Sequence, residues 1–178
     1  MNDSLLVGSV VCVIVAAVID VRTQKIPNWL TLPFTLIGML LNFFINGNQG
    51  LMLSALGLLT GFLLLYFVYL LGGMGAGDVK LLGAVGALLG PRMVFYTFIW
   101  MALAGGALAL LFILYKRAFS QTFRNLKILL LGWLLGTADS EANITIKNQS
   151  LIKLPYGVAI ALGTILAVWL KQIPSFGF

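Results

Sequence analysis

Between Lys25 and Asp78 the chain carries no acidic or basic side chain. A stretch of that length with no charge and mostly apolar side chains points to a bilayer. Lipid offers the backbone no hydrogen-bond partners, and such a chain crosses as helices that satisfy their own amides. The sequence divides into six apolar runs: Ser4–Ile19, Leu30–Ile45, Leu51–Leu71, Val79–Leu89, Met93–Tyr115 and Leu154–Leu170. The expected fold is therefore all-α, a polytopic membrane protein of about six transmembrane helices. Residues 1–178 are read as one transmembrane domain. Composition agrees: 61% of residues are hydrophobic and 9% charged, against about 25% charged in a typical soluble domain. Val79–Leu89 is too short to cross about 30 Å of hydrocarbon as a straight helix, and a short helix packed inside the bundle is expected there. The N-terminus carries Asp3 in place of a basic region, and no small-residue cleavage site precedes Asp20. The first run, beginning near Met1, thus reads as a plausible complete span that is retained rather than a removed signal.

Basic residues orient the bundle. With the N-terminus outside, the cytoplasmic loops hold Arg22, Lys25, Lys80, Lys116, Arg117, Arg124, Lys127, Lys147 and Lys153, while Arg92 and Lys171 stay outside. Inner loops of membrane proteins concentrate Lys and Arg in this way, so the net charge of +6 reads as a signal of topology and of membrane lipid as a partner. Scattered over short loops, it makes no nucleic-acid surface. In the longest loop, Lys116 to Lys153, "FRNLKILLLGWLLG" joins basic residues to an apolar stretch with Trp133. That suits a cytoplasmic amphipathic segment on the inner leaflet, or a re-entrant one, with a further full span as the alternative.

The chain has no histidine and a single cysteine, Cys12, inside the first apolar run, where it suits packing. An internal disulfide, a multi-cysteine zinc cluster and a histidine-based triad are excluded, and neither metal nor cofactor is expected. Chemistry is left to carboxylates, lysines, tyrosines, hydroxyls and the backbone. Of the five acids, Asp3 lies at the outer end, and Asp139 and Glu141 lie in a polar loop where water solvates them. Asp20 ends one apolar run and Asp78 begins another, both on the cytoplasmic side at similar depth. A carboxylate this near hydrocarbon is costly and needs a reason. One reason is structural: an interfacial charge paired with Arg22, Lys25 or Lys80, with Asp78 serving as the N-cap of its helix. The other is chemical. Two facing carboxylates in a partly dry site ionise one at a time and titrate as a unit. The charged member can take a proton from water as it attacks a peptide carbonyl. The protonated member can donate to the carbonyl oxygen and later assist the departing amine. Gly72, Gly73, Gly75 and Gly77 precede Asp78, and a loop with so little side-chain bulk can press its acid against another helix or admit an extended substrate strand. Glycine-rich turns before membrane helices also occur without function.

"DVRTQKIPNWLT" (Asp20 to Thr31) and "GMGAGDVKLLGAVGALLGP" (Gly73 to Pro91) resemble the two active-site segments of the type IV prepilin peptidases, membrane aspartyl proteases of the GxGD type. The motif here is Gly75-Ala76-Gly77-Asp78, and "LPYGVAIALG" (Leu154 to Gly163) resembles the family's last span. GxGD alone is four common residues. An Asp closely followed by Ile-Pro-Asn, then GxGD-Val-Lys at a membrane boundary, is a specific combination. The resemblance implies an aspartic endopeptidase that cuts the short basic leader from prepilins or pseudopilins at the cytoplasmic face of the cell membrane. It implies Asp20 and Asp78 as the catalytic pair, with Gly75 and Gly77 shaping the active-site loop. Lys80 would tune a carboxylate or anchor its helix at the headgroups, and Pro27 and Asn28 would turn the chain into the second span. There is one departure. Larger family members carry a cytoplasmic domain with paired CxxC motifs, linked to methylation of the new pilin N-terminus. This chain has one cysteine and only residues 20–29 between its first two spans. It resembles the short, peptidase-only form, and methyltransferase activity is not expected. The rival reading is a small ion-coupled transporter, because intramembrane acids and broken helices also mark ion paths. Against it, no internal repeat is evident and the acids lie near one face, not at the midplane. A non-catalytic assembly subunit is the third reading.

Overall fold

The structure, a computed structural model, describes residues 3–71, 74–115 and 156–171. Every regular element among the described residues is a helix: α1 (Asp3–Thr23), α2 (Asn28–Leu70), α3 (Ala76–Tyr115) and α4 (Tyr156–Lys171). The chain divides into two units, Met1–Gly105 with Pro155–Phe178, and Gly106–Leu154. The packing described below lies within the first. The expected amphipathic segment between Lys116 and Lys153 falls outside the described residues.

Three of the helices, α1, α2 and α3, are long and apolar enough to cross a membrane, and α4 is a shorter apolar helix. Their faces are sorted by size more than by polarity. On α1, Leu5, Ser9, Cys12, Ala16 and Asp20 are buried, a spacing of three and four residues that places them on one face. The other side shows Val7, Val11, Ile14, Val18 and Val21, all exposed. On α2 the buried positions include Gly38, Asn42, Gly50, Ser54, Gly57 and Gly61, while Leu36, Phe44, Met52, Leu59 and Phe67 are exposed. Small residues inward and bulky apolar residues outward is the pattern of helices that pack closely against each other and face lipid. These are the helices of an integral membrane protein.

Two glycines break the long helices. Gly47 in α2 has φ 60 and ψ −144, and Gly90 in α3 has φ 80 and ψ 173. Both φ values lie in a region that residues with a Cβ rarely adopt. Each break falls between two of the apolar runs read from the sequence. In an unbroken helix Gly50 would stand about 12 Å beyond Asn42. Instead, a Cβ added at Gly50 would run into the Asn42 carbonyl, so α2 doubles back at Gly47. Its two arms both grip the first arm of α3. Gly38 on the first arm lies against the backbone of Ala87, and Gly57 and Gly61 on the second lie against the carbonyls of Gly86 and Leu82. Leu81 through Leu89 are all buried, so the run too short to span is the central helix of the bundle. It begins at Ala76, three residues before the expected Val79, and α1 extends past the expected Ile19 to Thr23.

The break at Gly90 leaves carbonyls without helical donors, and α2 supplies replacements. Pro91 has no N–H for the Ala87 carbonyl. That oxygen accepts from Ser54 Oγ at 2.7 Å and from Asn42 Nδ2 at 3.1 Å. The Asn42 amide also reaches the Leu88 carbonyl at 3.3 Å. Asn42→Leu is expected to destabilise the bundle by about 0.5–2 kcal/mol, the range of interhelical hydrogen bonds in membranes. Thermal unfolding in detergent checks this, and an unchanged midpoint would contradict it.

Candidate active site

The last turn of α1 is fixed by its stop. Gln24 adopts a left-handed conformation, φ 52, and its N–H donates to the Asp20 carbonyl at 2.7 Å. This is a single-bond C-terminal cap of the αL kind, and it leaves Asp20 on the buried stripe. The chain then passes through Pro27 at φ −77 and ψ 147 into α2. Pro27, not Asn28, occupies the cap position, and no side chain caps the helix. The Asn28 side chain does something else: its Oδ1 accepts from Lys80 Nζ at 2.9 Å. Lys80 therefore ties the start of α2 to the first turns of α3. It lines a neighbouring cavity of about 250 Å³ with Asn28 and Thr31, and its partner is an amide rather than a carboxylate.

Asp78 is not the N-cap of α3. The helix begins at Ala76, which puts Gly75 at the cap and Asp78 in the third helical position. Asp78 Oδ2 accepts from Gly75 N at 3.0 Å, and Asp78 N donates to the Gly75 carbonyl at 3.1 Å. An acid that reaches back from this position to the cap N–H is the returning half of a capping box.

Asp20 has a partner far away in sequence. Its Oδ2 accepts from Gly157 N, in the first turn of α4, at 2.8 Å. First-turn N–H groups have no partner within their own helix, and the positive end of the helix dipole favours a carboxylate. A Cβ at Gly157 would lie 2.9 Å from both Cβ and Oδ2 of Asp20, so only glycine lets this acid sit where it does. Residue-by-residue reading of the sequence missed Gly157. The available signal was a glycine at the start of an apolar run, where backbone donors are unspent.

Asp20 and Asp78 are 5% and 7% exposed, so solvation does not account for either. Among the described residues neither forms an ion pair with Arg22, Lys25 or Lys80, which removes the interfacial charge-pair explanation. Both acids line one pocket of about 260 Å³. Asp20, Gln24, Lys25 and Ile26 form one wall, and Gly75, Ala76, Gly77 and Asp78 form the other. The walls approach closely at Gly77, where a Cβ would lie 3.0 Å from the Cβ and carbonyl oxygen of Ile26. The structure thus brings together Asp20, Asp78, Gly75 and Gly77, and leaves Lys80, Pro27 and Asn28 outside the pocket. Each carboxylate accepts one hydrogen bond among the described residues, well below its capacity of about four. Oxygens remain for water or a ligand.

The fold and pocket define a class: helical membrane proteins in which two acids from distant segments meet at one end of the bundle. Within that class, the chain belongs to the type IV leader peptidase family, whose model matches residues 7–110. That stretch holds both acids and both pocket glycines. Two similar curated proteins are each called "Prepilin leader peptidase/N-methyltransferase". One, from Dickeya chrysanthemi, is 38% identical over 98 residues, covering 48% of this chain and 33% of the relative. The other, from Klebsiella pneumoniae, is 40% identical over 84 residues, covering 43% of this chain and 36% of the relative. The aligned part is thus about a third of each relative's length. No solved structure matches the chain.

Proposed function

We propose that this protein is an aspartic endopeptidase that removes the short basic leader from type IV prepilins or pseudopilins at the cytoplasmic face of the cell membrane. The observation that carries the reading is the convergence of Asp20 and Asp78 on one pocket, in a member of a leader peptidase family that has no histidine. The charged member of the pair takes a proton from water while the water oxygen bonds to the scissile carbonyl carbon. The protonated member gives its proton to the carbonyl oxygen. Collapse of the tetrahedral intermediate breaks the C–N bond, and the amine leaves with a proton returned from the pair.

Topology completes the reading. α1, the two arms of α2, the second arm of α3 and α4 are read as crossing the membrane, and they enclose the short buried first arm of α3 as the core. The Lys and Arg excess in the segments read from the sequence as inner loops, Arg22, Lys25 and Lys80 among them, supports a cytoplasmic face for the pocket. A prepilin is itself an apolar helix behind a basic leader, and it lies against the exposed apolar faces of the bundle. Its scissile bond has to be extended, because a helical carbonyl is already bonded, and the pocket of about 260 Å³ that both acids line is where such a strand would meet them. Of the two activities in the relatives' name, we propose the peptidase alone: one cysteine cannot make paired CxxC motifs.

Gly77→Val is expected to force the two walls apart and slow leader removal about 10- to 100-fold, the effect of misplacing reacting groups by up to about 1 Å. Full activity of that variant in a leader-cleavage assay would contradict the role given to the loop. The reading as a whole is tested by mixing the purified protein with candidate prepilins and measuring product masses. A single cut between leader and apolar stalk supports it. Ion flux across vesicles with every candidate left intact would favour a transporter instead.

A further inference from the structure

A second cavity lies at the end of the bundle opposite the acid pocket. It measures about 520 Å³ and sits between the first turn of α1, the reversal of α2, the break in α3 and the last turn of α4. Leu5, which lines it, precedes Asp20 by about 22 Å of helix, and Lys171, which also lines it, follows Gly157 by about 21 Å. The two sites are therefore separated by most of the height of the bundle. Leu5, Leu89 and Met93 give the cavity apolar walls, and Arg92 and Lys171 bring two positive charges to it from different helices. Among the described residues neither cation is in an ion pair. Asn42 and Asn46 add polar groups to the lining. Two cations with no ion pair among the described residues, beside a cleft with apolar walls, match a molecule abundant around a membrane protein: a lipid whose headgroup is anionic and whose chains are apolar.

We propose that this cavity holds an anionic phospholipid, its phosphate between Arg92 and Lys171 and the upper part of an acyl chain along Leu5, Leu89 and Met93. Bound there, the lipid would bridge α3 and α4, the helices whose other ends carry Asp78 and the Gly157 contact to Asp20. The proposal does not depend on the peptidase reading.

The test uses the full-length protein purified in detergent. Native mass spectrometry, with added phosphatidylglycerol or phosphatidylcholine, counts lipids retained through detergent exchange. Thermal unfolding is followed in parallel. The wild type is expected to retain one phosphatidylglycerol in preference to phosphatidylcholine and to unfold at a higher temperature with it. R92Q/K171Q should retain at least fivefold less, and R92K/K171R, which keeps both charges, should behave as wild type. Equal retention by R92Q/K171Q would overturn the proposal. Equal retention of phosphatidylcholine would also overturn it, since the charges would then play no part. A thermal shift of the same size from inorganic phosphate alone would overturn it too, by reducing the cavity to a plain anion site.

Discussion

Asp20→Asn and Asp78→Asn are each expected to lower prepilin cleavage by about 10³-fold or more, within the range that general acid–base groups contribute. Asparagine has nearly the shape of aspartate but cannot take a proton from water at neutral pH. Its side-chain carbonyl can still accept the one hydrogen bond that each acid receives, from Gly157 N in one case and Gly75 N in the other. Both variants should therefore insert and fold, which separates loss of chemistry from loss of structure. Leader cleavage followed by product mass, with circular dichroism to confirm the helices, gives the measurement. Asp78→Glu adds a geometric control. One extra methylene displaces the carboxyl by about 1 Å, and a positioned site loses about a hundredfold. An acid that served only as a helix cap would tolerate the longer side chain.

Gly157→Ala is expected to have the next largest effect, about 10- to 100-fold on turnover. The added methyl would come within 2.9 Å of Asp20 Cβ and Oδ2, so α4 or the carboxylate must shift. The donor N–H survives the substitution, yet its alignment with Oδ2 does not. The same argument predicts a diagnostic coupling. Gly157→Ala should cost measurably less stability when residue 20 is glycine, because the methyl then meets no side chain. Neighbouring substitutions that share a contact are non-additive in this way. Equal destabilisation in both backgrounds, read from thermal midpoints, would mean that Gly157 is small for another reason.

Much of this arrangement was readable before the structure. The six apolar runs follow from transfer energetics alone, and both breaks in the long helices fall between them, at Gly47 and Gly90. The short run before Gly90-Pro91 could be predicted as an inner helix because about 30 Å cannot be crossed by so few residues. The acids stood out because charge is rare here and each needs a cause. What could not be read were contacts made by the backbone over long sequence distances. Nothing in "LPYGVAIALG" says that the Gly157 N–H meets Asp20. The Lys80–Asn28 hydrogen bond was hidden for a related reason, since a lysine near two carboxylates invites an ionic reading that only packing can refute. The shift of Asp78 from cap to third helical position came from helix boundaries, which sequence locates only to within a few residues.

The central claim is that the two acids act as one proton-sharing unit, and the pH dependence of kcat/KM for prepilin cleavage by the purified protein tests it most directly. Because the chain contains no histidine, carboxylates are its side chains with ordinary pKa values in the acid range. A coupled pair that is active only with one proton predicts a bell-shaped profile, falling as the second proton is gained and again as the first is lost. A profile that rises through a single ionisation to a plateau and stays there would contradict the account.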